Sequence, residues 1–545
     1  MHYTNLNVAV IDDGVYENFF DVGTLIHKIE ITSELNIINH HDFISSTPNH
    51  GSICAGIIKK FAPDASISSI KILNHERKGV PDQLVKAIDW CVESGIKIIN
   101  LSLGTVYYKD SFKLRTIIKK ASNKGIILVS ACSNQSIITY PSYFSSVIGV
   151  KAGKVREGEY IYNYHPNDGI EITTSSTFEL KQINGESFYT EACNSYATPF
   201  ITAKVYNILK NNPKLSVEKV KHKMMENALN KSEKTQFPYL YKTIDWVENV
   251  IIFNINFTNM NYLNTEYFFN IAKVINFTAN CFCDAAKCVK DHLSSNIDQY
   301  DTVIIIGSKL ASNHSDCSSD NILQAIIDSS KNIVYLDDKD LSNKIDVKLS
   351  NEKLKIWHPS VFNYLNNPML KKVDVPLVTI NDFTGNYLLG VMKGLNKCFF
   401  KDEYNPICAT ETCLGILYEF IYAPLFNDSI LSEYDPAGLK AICGLYTPDI
   451  LLYGIDAVNK SASILEYKSK LFDTDIDIII AFEHNSIVDE YICLLKKTDC
   501  HIILLTPFTM KNNNIPINKD IKSFDLYNKN CINDLYNYII HLYNK

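Results

Sequence analysis

Apolar positions along the chain follow two alternating rhythms: short unbroken apolar runs, and longer stretches in which apolar residues return at helical spacing. Asn7-Val-Ala-Val-Ile-Asp12-Asp13-Gly14 predicts a buried parallel strand ending in an acidic tip and a turn glycine. Residues 66–72 predict a strand, and 81–94 a helix with Leu84, Ala87, Ile88 and Cys91 on one face. Residues 97–104 predict a strand running into a Ser-Leu-Gly turn, 112–124 a helix closed by Gly125, and 126–134 a strand with a polar tip. A loop and strand follow over 140–150, compact β-hairpins over 152–190, and a closing helix over 215–228. This alternation predicts an α/β fold, a doubly wound parallel sheet with its site at the carboxyl edge.

The polar stretch Lys231-Ser-Glu-Lys-Thr-Gln-Phe-Pro238 breaks the rhythm, which then restarts. The expected division is a first domain over 1–230, a linker over 231–248 and a second α/β region over 249–545. Strand candidates in the second region lie at 250–256, 302–308, 332–336, 375–380, 477–482 and 501–506, with helices such as 321–330 and 488–497 between them. One large or two small Rossmann-like domains fit, the further division falling near residue 365.

At 545 residues the chain exceeds what one hydrophobic core supports. Its composition, 46% apolar and 21% charged, is that of a globular protein. A net charge of −7 without a basic block argues against nucleic acid as the main partner. No apolar run approaches the roughly 20 residues of a membrane helix, and no secretory signal opens the chain. The fifteen cysteines lack zinc-site spacing, so free thiols in a reducing cytoplasm are expected, with no metal and no cofactor.

The stretch with most chemical content is Thr190-Glu-Ala-Cys-Asn-Ser195-Tyr-Ala-Thr-Pro199. It puts Ser195 at the mouth of a predicted helix with Pro199 in the first turn, where proline sacrifices no hydrogen bond. The positive end of the helix dipole suits a nucleophile whose attack creates an oxyanion. Upstream, His50-Gly-Ser-Ile-Cys-Ala-Gly56 joins a His-Gly pair to a small-residue helix. Asn100-Leu101-Ser102-Leu103-Gly104 and Ala131-Cys-Ser-Asn134 end two of the predicted strands.

Together with Val10-Ile-Asp12-Asp-Gly14, these motifs resemble those of the subtilisin-like (S8) serine peptidases, in the same order Asp, His, Ser. The resemblance covers about residues 5–230. It implies that Ser195 is the nucleophile, His50 its general base, Asp12 the carboxylate that fixes the imidazole, and Asn134 an oxyanion donor. Leu101, Ser102, Leu103 and Gly104 would bind an extended substrate through the backbone. Asp13 is excluded, because period two turns it to the opposite face of the strand. Three positions depart from the family pattern: Cys193 replaces glycine, Asn194 replaces threonine, and Ser133 stands before Asn134 in place of glycine.

The Asp motif lies near residue 1, which leaves an inhibitory pro-segment no room, and no calcium-type loop is visible. These features predict a calcium-independent cytoplasmic endopeptidase acting on a peptide or protein substrate, such as a ribosomally made precursor. The rival reading is a peptide-binding pseudoprotease. In the second half, Val378-Thr-Ile380-Asn-Asp-Phe-Thr-Gly385-Asn386-Tyr387 occupies the place of a phosphate-binding loop. Ile380, Asn386 and Tyr387 fail the P-loop pattern, which argues against a working nucleotidase, and a degenerate P-loop-like region is expected. Glu483 would end an acidic-tipped strand. In layout alone this half is similar to accessory P-loop-like proteins of clostridial peptide-maturation systems. It is expected to bind substrate or a maturation partner, or to gate the peptidase as a nucleotide sensor.

Overall fold

In a computed structural model, the apolar run Asn7–Asp12 forms strand β1, buried at all six positions. The structure describes residues 6–39, 47–74, 76–164, 166, 168–231, 241, 243–255, 267–279, 281–295, 299–307, 320–336, 354–359, 375–423, 437–482, 485–507 and 521–544. The loop residues 41–46, most of the polar hinge and Glu483 lie outside the described residues. Two compact units divide the chain, Met1–Trp246 and Val247–Lys545.

In the first unit, β1 is followed by β2 (Lys28–Ile31), β3 (Ile37–Asn39), α1 (His50–Phe61), β4 (Ser66–Lys71), α2 (Pro81–Glu93) and β5 (Ile98–Leu101). Next come α3 (Asp110–Asn123), β6 (Ile127–Ala131), β7 (Val147–Ala152), β8 (Tyr160–Tyr162) and β9 (Ile172–Thr174). The unit closes with β10 (Glu179–Lys181), β11 (Ser187–Tyr189), α4 (Asn194–Asn211) and α5 (Val217–Glu226). Nine strands form one sheet in the order β3-β2-β4-β1-β5-β6-β7-β9-β8. Among the described residues of this sheet, only the edge pairs β2/β3 and β8/β9 run antiparallel. β10 and β11 make a separate hairpin.

Strand β1 sits inside the sheet, with β4 on one side and β5 on the other. The chain builds outward from it in both directions, so Asp12 ends a strand at the switch point where such sheets open a crevice. Val8, Val10, Ile127 and Val129 share a core cluster with Ile57 of α1 and Phe200, Ile201 and Val205 of α4. Each such side chain contributes about 1.5–3 kcal/mol on burial. That cluster clamps α1 and α4, and with them His50 and Ser195, against the sheet.

The expected linker over 231–248 is shorter than that range at its far end. Asp245 accepts hydrogen bonds from Ser145 N at 3.1 Å and Ser145 Oγ at 2.9 Å, and Ile244 and Trp246 are buried. Residues 243–246 therefore belong to the first unit, because apolar contact and a buried carboxylate hold them there.

The second unit begins with β12 (Asn249–Ile255), β13 (Asn270–Phe277), α6 (Phe282–Ser295), β14 (Thr302–Ile306), α7 (Asp320–Asp328), β15 (Asn332–Leu336) and β16 (Ile356–Trp357). These strands form a parallel sheet in the order β13-β12-β14-β15-β16. The chain continues with β17 (Leu377–Asp382), α8 (Leu388–Lys401), β18 (Pro406–Thr410), β19 (Ile421–Tyr422), α9 (Ala437–Tyr446) and β20 (Ile450–Asp456). It ends with α10 (Ala462–Phe472), β21 (Ile476–Ile480), α11 (Ser486–Leu495), β22 (His501–Thr506), β23 (Lys522–Asp525) and α12 (Cys531–Tyr543). A second parallel sheet runs β19-β18-β20-β17-β21-β22-β23. One cysteine expectation is corrected: Cys283 is disulfide-bonded, a pairing that spacing along the chain does not reveal.

Candidate active site

The carboxylate of Asp12 is fully buried at the end of β1, and both of its oxygens meet His50 Nδ1, at 2.9 and 2.8 Å. A carboxylate can only accept, so Nδ1 carries the proton and the neutral ring keeps its lone pair on Nε2. His50 is the first residue of α1, after Asn49, whose side chain accepts from Ser52 N as the N-cap.

Asp13, set aside on strand periodicity, belongs to this site. Its Oδ1 accepts from Gly51 N at 2.8 Å and from Asn49 Nδ2 at 2.7 Å, and its Oδ2 accepts from His50 N at 3.3 Å. Strand β1 ends at Asp12, so alternation no longer governs the next side chain, and Asp13 swings onto the helix that carries His50. Burial, with Asp12 nearby, pushes its carboxyl up to about 6. Gly51 cannot be replaced there, since a Cβ would stand 2.2 Å from Gly14 O. The Asp-Asp-Gly and Asn-His-Gly triplets together carried the signal for this clamp.

Helix α4 begins at Asn194, with Cys193 as its N-cap. Pro199 is therefore inside the helix and not in its first turn, which corrects the expected register. A proline at that position removes the N–H that would bond the carbonyl four residues back, Ser195 O. Ser102 takes that carbonyl instead, its Oγ donating to Ser195 O at 2.9 Å, while Ser195 Oγ donates to Ser102 O at 3.2 Å. Ser102 Oγ also receives Asn100 Nδ2 at 3.2 Å, and Asn100 Oδ1 receives Thr202 Oγ1 at 2.8 Å. The proline thus frees a carbonyl through which the turn carrying Ser195 is fastened to the end of β5.

Among the described residues no hydrogen bond joins Ser195 Oγ to His50. Two contacts nevertheless bring their surroundings together. The Tyr196 ring stacks on His50 with centroids 5.2 Å apart, and Cys54 Sγ lies 4.0 Å from His50 Nδ1 and 3.9 Å from Ser195 O. Burial works against the imidazolium, but Cys54 and the Asp12 carboxylate outweigh it, and His50 titrates well above its ordinary 6.5. Burial also pushes the Cys54 thiol up, which keeps it neutral and leaves the carboxylate as the lasting source of that rise. Ligand atoms of Asp12, His50 and Cys54 lie within 4.8 Å of one another. The Nδ1 proton already engages both Asp12 oxygens, so a metal there would have to break the pair.

Asn134, exposed in the turn that follows β6, accepts the backbone N–H of Asn194 through Oδ1 at 2.9 Å. Its Nδ2 faces away from that contact, and among the described residues no acceptor takes the Ser195 N–H. Of the four residues expected at the substrate edge, Leu101 does not belong. It is fully buried and paired on both sides, with Ile11 and with Ser130. Ser102, Leu103 and Gly104 leave the ladder, and Gly104 is needed where a Cβ would stand 2.6 Å from Tyr140 O.

The second stretch singled out lies between β17 and α8. Asp382 Oδ1 accepts from Thr384 N at 2.8 Å, Thr384 Oγ1 at 2.6 Å and Gly385 N at 3.2 Å, and Oδ2 accepts from Tyr387 N at 2.8 Å and Leu388 N at 2.9 Å. The donors that would cradle a phosphate are thus engaged by the chain's own carboxylate.

The model of the subtilase family matches residues 4–243. Curated relatives include the minor extracellular protease Epr of Bacillus subtilis, 25% identical over 42% of this chain and 35% of its own length. Subtilisin DY of Bacillus licheniformis is 24% identical over 42% of this chain and 84% of its own length. The chain thus spans about a third of the first relative and most of the second. The solved structure of Sphericase is 24% identical and covers 40% of this chain and 81% of its own, with a TM-score of 0.34. Residues 4–243 are a domain of the subtilase family.

Proposed function

We propose that the first unit is a serine endopeptidase. The observation that carries this reading is the double contact of His50 Nδ1 with Asp12, which leaves Nε2 as the acceptor, beside a helix whose second residue is Ser195. In the proposed reaction Ser195 Oγ leaves Ser102 O and gives its proton to Nε2 as it attacks the peptide carbonyl. The oxyanion is received by Ser195 N–H and Asn134 Nδ2. His50 returns the proton to the departing amine, and water then releases the acyl group from Ser195. Ser102–Gly104 would align the substrate as an added strand.

The finer reading is that the substrate is a ribosomally made precursor peptide and that the second unit recruits it or a maturation partner. Cytoplasmic action belongs to the same proposal: among the described residues thirteen cysteines are free, which supports it, while the disulfide at Cys283 pulls the other way. One observation favours a binding module without turnover, namely that Ser195 Oγ is spent on Ser102 O. Hydrolysis of unfolded casein by the full chain separates the two. Wild type should release peptides, and Ser195→Ala and His50→Ala should each lose at least about 10³-fold. A wild-type rate no higher than that of Ser195→Ala would leave only the binding module.

A further inference from the structure

Asn194 stands where the family motif has threonine, and the reaction just described gives its side chain no part. It is 8% exposed, and both ends of its amide are engaged. Oδ1 accepts from Ala152 N at 2.7 Å. Nδ2 lies 2.9 Å from Ser133 O, 3.2 Å from Cys132 O and 3.2 Å from Cys132 Sγ, and donates to them. The side chain thus grips the two carbonyls just before Asn134 and the end of β7.

The backbone of the same residue meets Asn134 itself, through Asn194 N and Asn134 Oδ1. An N–H can only donate, so the Asn134 group facing it must be the oxygen, and the Asn134 NH2 is turned the other way. That orientation persists only while residues 132–134 stay within reach of residue 194. Backbone N–H and side-chain amide therefore act together: one selects which end of Asn134 is presented, and the other holds the distance.

We infer that Asn194 is a positioning residue that sets Asn134 as the oxyanion donor by tying residues 132–134 to the nucleophile turn. This inference rests on the serine-peptidase reading. An amide suits the task because it donates twice and accepts at once. Threonine has one hydroxyl proton. Aspartate has none at neutral pH, and its carboxylate would face the oxygens of Cys132 and Ser133.

The test is a double-mutant cycle on the full chain, reading kcat and KM with a fluorogenic peptide. Asn194→Asp should lower kcat about 10- to 100-fold and leave KM within about twofold. Asn134→Ala should lower kcat about 10²–10³-fold. The double variant should fall within about threefold of Asn134→Ala alone, because a brace has nothing to position once the donor is gone. Asn194→Thr, with one donor, should recover part of the rate, and it carries the cycle if Asn194→Asp does not fold by thermal melting. Full activity in Asn194→Asp, an effect on KM alone, or losses that multiply in the double variant would overturn the inference. Absence of wild-type turnover would instead overturn the peptidase reading, and it is seen before any variant at residue 194 is made.

Discussion

His50 faces two demands that pull apart. The buried Asp12 carboxylate holds the ring in place and also raises its pKa, whereas a general base has to be neutral before attack. Turnover should therefore rise with pH well beyond the ordinary 6.5 of histidine. Stability should move the other way. A folded pKa above the unfolded one gives a contribution that is complete below 6.5 and is lost as pH rises through the folded value. A kcat profile flat above pH 7 would contradict this, as would an alkaline fall in melting temperature that survives in His50→Ala. Asp13 adds a second acid-side effect. Its folded pKa of about 6 lies above the ordinary 3.8, so stability declines as pH rises between those values. Asp13→Asn should flatten that part of the melting profile. It should also lower kcat, since an amide cannot receive Gly51 N, His50 N and Asn49 Nδ2 together. The pairing of Asp12 with His50, present at 2.8 and 2.9 Å, was legible from residue type and order. Asp13 was not, because the rule that excluded it holds only while the strand lasts.

The start of α4 shows what one residue of register decides. Read from sequence, Pro199 was harmless in a first turn; with the helix beginning at Asn194, it unpairs Ser195 O. Ser102 fills the vacancy and itself belongs to a chain of buried polar groups through Asn100 and Thr202. Ser102→Ala should destabilise the chain by about 1–3 kcal/mol, the usual cost of stranding a buried polar group, here Asn100 Nδ2, with the bond to half-buried Ser195 O lost as well. Adding Pro199→Ala should recover part of that loss, because a backbone N–H then reaches Ser195 O. Denaturant midpoints of the two single variants and the double variant test this, and equal losses with and without the proline would contradict it. Element types were legible from periodicity along most of the first unit. Leu101 was misread because edge and interior positions of a ladder carry the same apolar signature, and only the register with Ile11 and Ser130 tells them apart.

At the scale of the whole chain, the first unit carries motifs whose order could be read directly, and the second carries only a rhythm. The strand-helix alternation predicted parallel sheets there, and two are present. What the second unit binds was not legible, since its most site-like loop is completed by Asp382, a side chain whose role depends on how the loop closes. Inorganic phosphate and ATP should leave the melting temperature of the full chain unchanged, because the cradle is already filled by a carboxylate. A saturable rise with either would contradict that. The central claim is that Asp12, His50 and Ser195 act as one nucleophilic unit. It is tested most directly by treating the full chain with a fluorophosphonate and mapping the adduct by mass spectrometry. One phosphonylated residue is expected, Ser195, with labelling abolished in Ser195→Ala and strongly slowed in His50→Ala. Adducts elsewhere, or a wild type that takes up no probe at alkaline pH, would contradict it.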